Sequence, residues 1–570
     1  MVRVLAVFAH KLNRILPRFV SKRLRNSKRL FSWYAALIQK NRHFIDPNYV
    51  VPFEIPKWGY FPSSEDYNKN IVKQNQIIRL ASEYIAIKQG FVVVILMPTF
   101  DFVSLQKTLS SLKLQAHFID RLLVVTEEIE LCKTWLAKDS CGFAIELVGA
   151  KSNRLTFKFD FPSFVCFSGE VLHEKAFSYL SHFSPTLKNL TYCDTDVLLQ
   201  DIRQLPHFYP DWNPDYQLSA NYIRTGVIVP QGVTIMLEEL SKDTVSTWLK
   251  NLYLSDSEIK VDHIPLVLIH RPISLLRTLN EGCNTATLFN PSRYPRVSLI
   301  VPTYNGLQVL KTCIESILEK TTYQKYEIII VNNNSDDEAT LSYLETIKQH
   351  ENIDVLEYPK PFNYSAINNF AVRHAKGEII GLVNNDIEVI TPEWLEYMVT
   401  HVQRPDIGCV GAKLLYPNDL VQHAGVVMGY GGGAGHAHKF FPREHPGYLA
   451  RAVCTQNFSA VTAACLLVKK SDYEAVNGLN EVDLTVAFND VDFCLRVLEL
   501  GRRNLLCAEA ELYHHESITR GHEDTPEKAE RFTNEVNYLK TKWSDFISHD
   551  PAYNPNLTLR YENFSIKLDE

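Results

Sequence analysis

Apolar residues in this chain cluster in short, β-branched runs separated by stretches with helical spacing. Residues 91 to 97, 121 to 125, 297 to 301, 326 to 331 and 379 to 383 are such runs. Their length and composition predict buried strands, and the apolar stripes after 91–97 and 297–301 predict helices, giving an alternating α/β pattern. Residues 91–112 resemble residues 297–317. Each reads as a strand, a Pro-Thr-aromatic turn and a striped helix. Further on, Tyr192-Cys193-Asp194-Thr195-Asp196 parallels Val383-Asn384-Asn385-Asp386, again about 200 residues apart. Two related α/β units are therefore expected, with a boundary in the loop-like stretch from Pro291 to Pro295. The expected divisions are 1–75, 76–290, 296–557 and a tail at 558–570.

The copies are unequal. Setting Leu249 opposite Leu495 places Thr244 against Asp490, Ser246 against Asp492 and, with two residues allowed in the loop, His270 against His514. A slip of one residue would restore an acid at Asp243. The first copy lacks the acids of the late helix and reads as a degenerate duplicate.

Composition narrows the classes. A chain of 570 residues with 46% hydrophobic content can bury several cores, and a net charge of -6 gives no footprint for nucleic acid. Eleven cysteines without a CxxC pair point to reduced thiols in a cytosolic compartment. No apolar run reaches the roughly 18 residues that cross a bilayer, and Val4 to Ala9 is too short for a secretory signal. Residues 1–45 hold eleven Lys or Arg and no acid, with apolar positions at helical spacing. Such a basic amphipathic segment suits an anionic membrane surface.

Candidate chemistry collects in the second unit. Asp386 follows a buried strand, where open α/β sheets bind ligands, and a carboxylate among amides there suits a hard cation carrying phosphate. Asp490 and Asp492 open a late helix. Acids are at home in a first turn, but Asp490 can also serve as a general base. His514 or His515 could complete a Mg²⁺ or Mn²⁺ shell begun by Asp386, and Arg520 could meet a diphosphate. Asn368 and Asn369, poor residues inside a helix, suggest polar groups aimed at a ligand. The glycine-rich tract from Gly425 to Gly435 reads as a mobile loop over a site, and His436 with His438 as a solvated pair.

These residues carry a resemblance. VPTYN (301–305), VNNNSDD (331–337), FNYSAINN (362–369), LVNNDIEVITPEWL (382–395), GAKLLYP (411–417), QHAGVV (422–427), SAVTAACLLVKK (459–470), FNDVDFCLR (488–496), and LYHHES with Arg520-Gly521 together resemble family 2 of the inverting glycosyltransferases. The likeness is to the rhamnosyltransferase-like subgroup that builds O-antigen and related polysaccharides. DWNPDYQLSANYI (211–223) looks like the partial transferase domain often fused ahead of that module.

The resemblance implies two GT-A-like domains in tandem, Rossmann-like with mixed sheets, behind a basic helical segment. It implies a hexosyltransferase-type enzyme using a nucleotide-diphospho-sugar donor and a glycan or lipid-linked acceptor, on the cytoplasmic face of the cell membrane. By the same resemblance Pro302, Tyr304, Asn332, Asn369, Asn384, Asn385 and Arg520 would bind the donor. Asp386 and His514 would hold Mg²⁺ or Mn²⁺, and Asp490 would be the catalytic base. The chain departs from the family where Asn332 replaces a frequent Asp and where Asn384-Asn385-Asp386 replaces Asp-x-Asp. The rival reading is a non-catalytic scaffold or glycan-binding protein built from the same two units.

Overall fold

The computed structural model describes residues 64–83, 90–137, 142–150, 155–183, 188–237, 239–275, 285–289, 293–515 and 526–567. The basic segment 1–45 and Arg520 lie outside them. The first described element is a helix, Ser64–Glu83, which packs on the first sheet.

Both sheets grow from the apolar runs. Phe91–Met97 and Val297–Thr303 are central strands, and every residue of the first is buried, as expected where both faces are covered. The helices begin at recognisable caps. Asp101 accepts hydrogen bonds from the Val103 and Ser104 amides, Asp337 from Thr340 and Asn363 from Ala366.

The first sheet runs in the order Ile145–Gly149, Ile119–Thr126, Phe91–Met97, Ser163–Phe167, Val227–Val229, Leu190–Leu199, Val261–Pro272, Val171–Leu172. The second runs Ile353–Glu357, Tyr326–Asn332, Val297–Thr303, Ile379–Val383, Cys465–Lys469, Ile407–Leu415, Arg503–His514, Ile387–Val389. Position by position the junctions have the same sense: parallel outward from the central strand, antiparallel around the fifth strand, parallel again, and antiparallel at the edge. Two mixed α/β sheets of one design are present.

This order corrects one expectation. Ser163–Phe167 stands where Ile379–Val383 stands, and each is followed by a three-residue turn and a short edge strand. Glu170, not Asp196, therefore occupies the position of Asp386. Asp194 and Asp196 lie on Leu190–Leu199, the counterpart of Ile407–Leu415. The late register confirms the histidine match, because Val171 pairs with His270 as Ile387 pairs with His514.

One apolar cluster spans the two units. Val92, Leu123 and Tyr192 of the first belong to the same buried cluster as Leu415 and Tyr448 of the second and Phe564 of the tail. Polar contacts pin the joint. Asp215 pairs with Arg404, Asn213 donates to the Asn457 carbonyl at 2.8 Å, and the Tyr253 hydroxyl donates to Asp406 at 3.2 Å. At the C-terminal end, Asn554 reaches back to Asp194 at 2.9 Å.

The glycine-rich tract is not a mobile loop. Val426–Met428 and Ala434–His436 pair as an antiparallel hairpin, with buried strand residues on the first arm. Gly429 turns at φ 94°, and a Cβ there would lie 2.7 Å from the Ile547 carbonyl oxygen, so glycine is required by space as well as by conformation. No described helix is long and apolar enough to cross a membrane. The nine described cysteines form no disulfide among themselves and are buried.

Candidate active site

The strand Ile379–Val383 ends where the Asn384 amide donates to the Ala464 carbonyl at 3.0 Å. The chain turns, and Ile387–Val389 pairs antiparallel with the end of Arg503–His514. Ile387 stands opposite His514, and the His515 amide donates to the Asp386 carbonyl at 2.9 Å. Neighbouring residues on an extended chain face opposite ways, so only one of the two histidines can meet Asp386. It is His514, whose Nε2 lies 3.1 Å from Asp386 Oδ1. His515 turns to Glu388, 3.1 Å from Oε2.

The Asp386–His514 contact is close but is not a hydrogen bond. Asp386 is 6% exposed, and its buried Oδ1 has no hydrogen-bond partner. A buried carboxylate oxygen without one is costly, and such atoms mark a place for an ion or ligand. His514 Nδ1 sits 2.5 Å from Gln422 Oε1, while Asn384 Nδ2 lies 3.3 Å from Nε2. One carboxylate oxygen and one ring nitrogen thus converge with lone pairs unmet by stronger donors. This donor set fits a divalent cation that takes its remaining ligands from phosphate and water. Among the described residues no group of three or more His, Cys, Asp or Glu gathers in a metal-binding arrangement.

Asp490 stands on the other side of the strand end. Its helix, Asn489–Glu499, starts after Phe488 at φ 59°. Asp490 Oδ2 accepts from Thr462 Oγ1 and from the Ala463 amide, each at 3.0 Å, and Oδ1 from the Val491 amide at 2.9 Å. Burial pushes its carboxyl above the usual range, against those hydrogen bonds, which makes it a stronger base when ionised. Asp492 does different work. It is fully buried and holds Arg496, Lys542 and Trp543 at 2.8 to 3.0 Å, tying the last long helix to the unit.

Tyr364 joins the two sides. Its hydroxyl lies 3.2 Å from both Asn384 Oδ1 and the Ala463 carbonyl. A polar chain therefore runs from Asp490 through Ala463, Tyr364 and Asn384 to His514.

At the carboxyl edge of the sheet, Pro302 is the penultimate residue of the central strand and Tyr304 leaves 49% of its surface exposed. Asn332 is buried there, donating to Glu357 at 2.8 Å and accepting from the Ser335 amide at 3.1 Å. Asn385 donates to Thr303 Oγ1 at 3.1 Å. These residues share the strand ends with Asp386. Asn369 does not face them. Its amide binds the Leu479 carbonyl at 2.8 Å and accepts from Tyr473 Oη at 2.6 Å, pinning the 473–479 turn. Asn368 donates back to Tyr364 O at 2.8 Å.

The two histidines of the hairpin are not a solvated pair. His436 Nδ1 meets His423 Nδ1 at 2.8 Å, while His438 accepts from the Tyr448 amide at 3.1 Å and stacks on Phe564. Burial holds His436 neutral, pushing it down to about 3.

Sequence reasoning gave no role to Tyr364, Gln422 or Thr462. Their motifs were visible, but a tyrosine at a helix start and a glutamine in a strand acquire meaning only when the fold brings them against a histidine or an acid.

The family model of glycosyl transferase family 2 matches residues 298–475. Over this stretch the chain is similar to glycosyl transferase family 2. The match holds the strand ends and Asp386, while Asp490 and His514 lie beyond it. Over 437 residues, 69% of this chain and 33% of the relative, the chain is 33% identical to O-antigen biosynthesis protein RfbC of Myxococcus xanthus. Over 271 residues, 47% of this chain and 30% of the relative, it is 53% identical to the uncharacterized protein y4gI of Sinorhizobium fredii. The chain spans about a third of the length of these relatives. Among solved structures, mannosyltransferase PcManGT from Pyrobaculum calidifontis, in complex with GDP-Man and Mn²⁺, aligns with a TM-score of 0.34 and 18% identity, over 45% of this chain and 66% of that one.

Proposed function

We propose that the second unit, residues 296–557, is an inverting, metal-dependent glycosyltransferase that moves a sugar from a nucleotide-diphospho-sugar to an acceptor hydroxyl. One observation carries this reading. The buried Asp386 oxygen without a hydrogen bond faces His514 Nε2, and a short polar chain links that pair to the raised carboxylate of Asp490. A metal pair and a base at the end of one sheet are what a single displacement requires.

Asp386 and His514 would hold Mg²⁺ or Mn²⁺, which supplies positive charge against the departing diphosphate. Pro302, Tyr304 and Asn332 would line the base and ribose, Asn384 and Asn385 the ribose or diphosphate, and Arg520 the diphosphate. Asn369 would act from behind, through the turn it pins. Asp490 takes the proton of the acceptor hydroxyl as that oxygen attacks the anomeric carbon. The C–O bond to the diphosphate breaks on the opposite face, so the configuration inverts and no covalent enzyme intermediate forms. The likeness to an O-antigen biosynthesis protein supports a lipid-linked or polysaccharide acceptor. The basic residues 1–45 support contact with the anionic inner face of the cell membrane. The first unit serves as a scaffold that braces the second.

The test is a panel of nucleotide-sugars screened for Mn²⁺-dependent release of nucleoside diphosphate. The reading predicts release from one class of donor, lost in Asp490→Asn with donor binding retained. No release from any donor, or release unaffected by Asp490→Asn, contradicts it.

A further inference from the structure

We propose that Gln422 and Asn384 are positioning residues which hold His514 from both sides in one tautomer, its proton on Nδ1 and its Nε2 lone pair turned to Asp386. The inference rests on the metal reading above and says how that site is kept ready.

The fold places Gln422 for this task. Val421–His423 pairs antiparallel with Ile407–Leu415, which lies beside Arg503–His514. Gln422 is buried there with Oε1 2.5 Å from His514 Nδ1 and its amide nitrogen 3.4 Å from the His514 carbonyl. The carbonyl can only accept, so it turns the nitrogen of Gln422 towards itself and the oxygen towards the ring. An oxygen at Nδ1 requires a proton on Nδ1. A neutral imidazole has one N–H, so Nε2 keeps a lone pair.

Asn384 gives the same answer from the other side. Tyr364 Oη lies 3.2 Å from Asn384 Oδ1 and can donate to it, which leaves Nδ2 facing His514 Nε2 at 3.3 Å. An amide N–H there donates onto the same lone pair. This gives a physical reason for asparagine rather than aspartate at 384. A carboxylate at 384 would have no N–H to offer Nε2, so the chain exchanges a possible ligand for control of the ligand it has. The first unit supports the comparison. His270, at the register of His514, also has its Nδ1 held by a side-chain oxygen, Asp196 Oδ1 at 2.6 Å.

The experiment uses the full chain and two readouts. Calorimetric titration with Mn²⁺ compares wild type, Asp386→Asn, Gln422→Leu and Gln422→Glu. In parallel, ¹⁵N-histidine NMR of the metal-free wild type reads the tautomer of His514, its signals assigned by their loss in His514→Gln. Loss of an outer partner of a metal-binding histidine commonly costs about 10–100-fold in affinity. Gln422→Leu should weaken Mn²⁺ binding by about that factor, Gln422→Glu should restore it by keeping an acceptor at Nδ1, and the wild-type ring should carry its proton on Nδ1. Wild-type affinity in a folded Gln422→Leu, or a wild-type proton on Nε2, overturns the proposal. If Gln422→Leu does not fold, the wild-type tautomer and Gln422→Glu still decide it. Absent Mn²⁺ binding in wild type, or binding unchanged in Asp386→Asn, would instead fail the metal reading, and the tautomer result would stand by itself.

Discussion

Glu170 and Asp386 occupy the same place in two sheets of the same design, one turn after the fourth strand, and their surroundings are opposite. Glu170 is fully buried, and its carboxylate is used up. Arg271 Nε lies 3.0 Å from Oε1, the Phe167 amide donates to Oε2 at 2.9 Å, and the Thr225 hydroxyl adds a third bond. Asp386 keeps an oxygen without a hydrogen bond. Register makes the contrast sharper. Arg271 follows His270 as His515 follows His514, so the first unit has put a guanidinium where the second has a histidine that turns away. The first unit carries its own cation, and in the second one carboxylate oxygen stays without a hydrogen bond. A shared fold therefore does not imply a shared site; what decides is whether the strand-end acid is satisfied from within.

The largest expected contrast is at Asp490, the proposed base. Asp490→Asn should lower transfer by about a thousandfold, the mid-range for removing a general base, while Asp196→Asn in the first unit should leave turnover per folded molecule unchanged. Loss of one of two products in Asp196→Asn would show that the first unit is catalytic.

Stability gives the next largest contrast. Glu170→Gln strands Arg271, a buried guanidinium, and should cost about 3–5 kcal/mol in denaturant unfolding. Asp386→Asn removes a carboxylate that makes no hydrogen bond through Oδ1 and should move stability by no more than about 1 kcal/mol. Equal costs would mean that Asp386 is as fully satisfied as Glu170. Asp215→Asn strips Arg404 at the joint between the units and should cost about 3 kcal/mol, with both sheets unfolding in one transition because one apolar cluster spans them. Two separated transitions would contradict that coupling.

The smallest effect is on pH dependence. Burial raises the Asp490 carboxyl, and a base works only when ionised. Transfer is therefore complete above the folded-state pKa and lost as pH falls through it, with a midpoint above that of an ordinary carboxylate. A kcat profile with no acid limb above the ordinary carboxylate range would remove Asp490 from the role.

Much of this was legible in the sequence. The strands, the repeat and the pairing of His270 with His514 follow from apolar runs and turn residues, because a buried strand needs little besides composition to declare itself. The partner of Asp386 was misread. Asp194-Thr195-Asp196 has the look of a metal motif after an apolar run, whereas Phe167-Ser168-Gly169-Glu170 looks like an ordinary turn; only strand order tells them apart. The glycine-rich tract misled for a related reason. Gly429, Gly431 and Gly432 adopt positive φ and Gly429 fits a tight approach, which composition cannot distinguish from mobility. Asn369 was read as facing a ligand because asparagine is unusual in a helix, and its partner, the 473–479 turn, is distant in sequence.

On the proposed reading, the described residues hold one cation site, at Asp386 and His514 in the second unit. Mn²⁺ titration of the full chain, with Asp386→Asn and Glu170→Gln alongside, tests it most directly. One ion per chain is expected, lost in Asp386→Asn and kept at wild-type affinity in folded Glu170→Gln. Two ions per chain, or one that survives Asp386→Asn and disappears with Glu170→Gln, would contradict it.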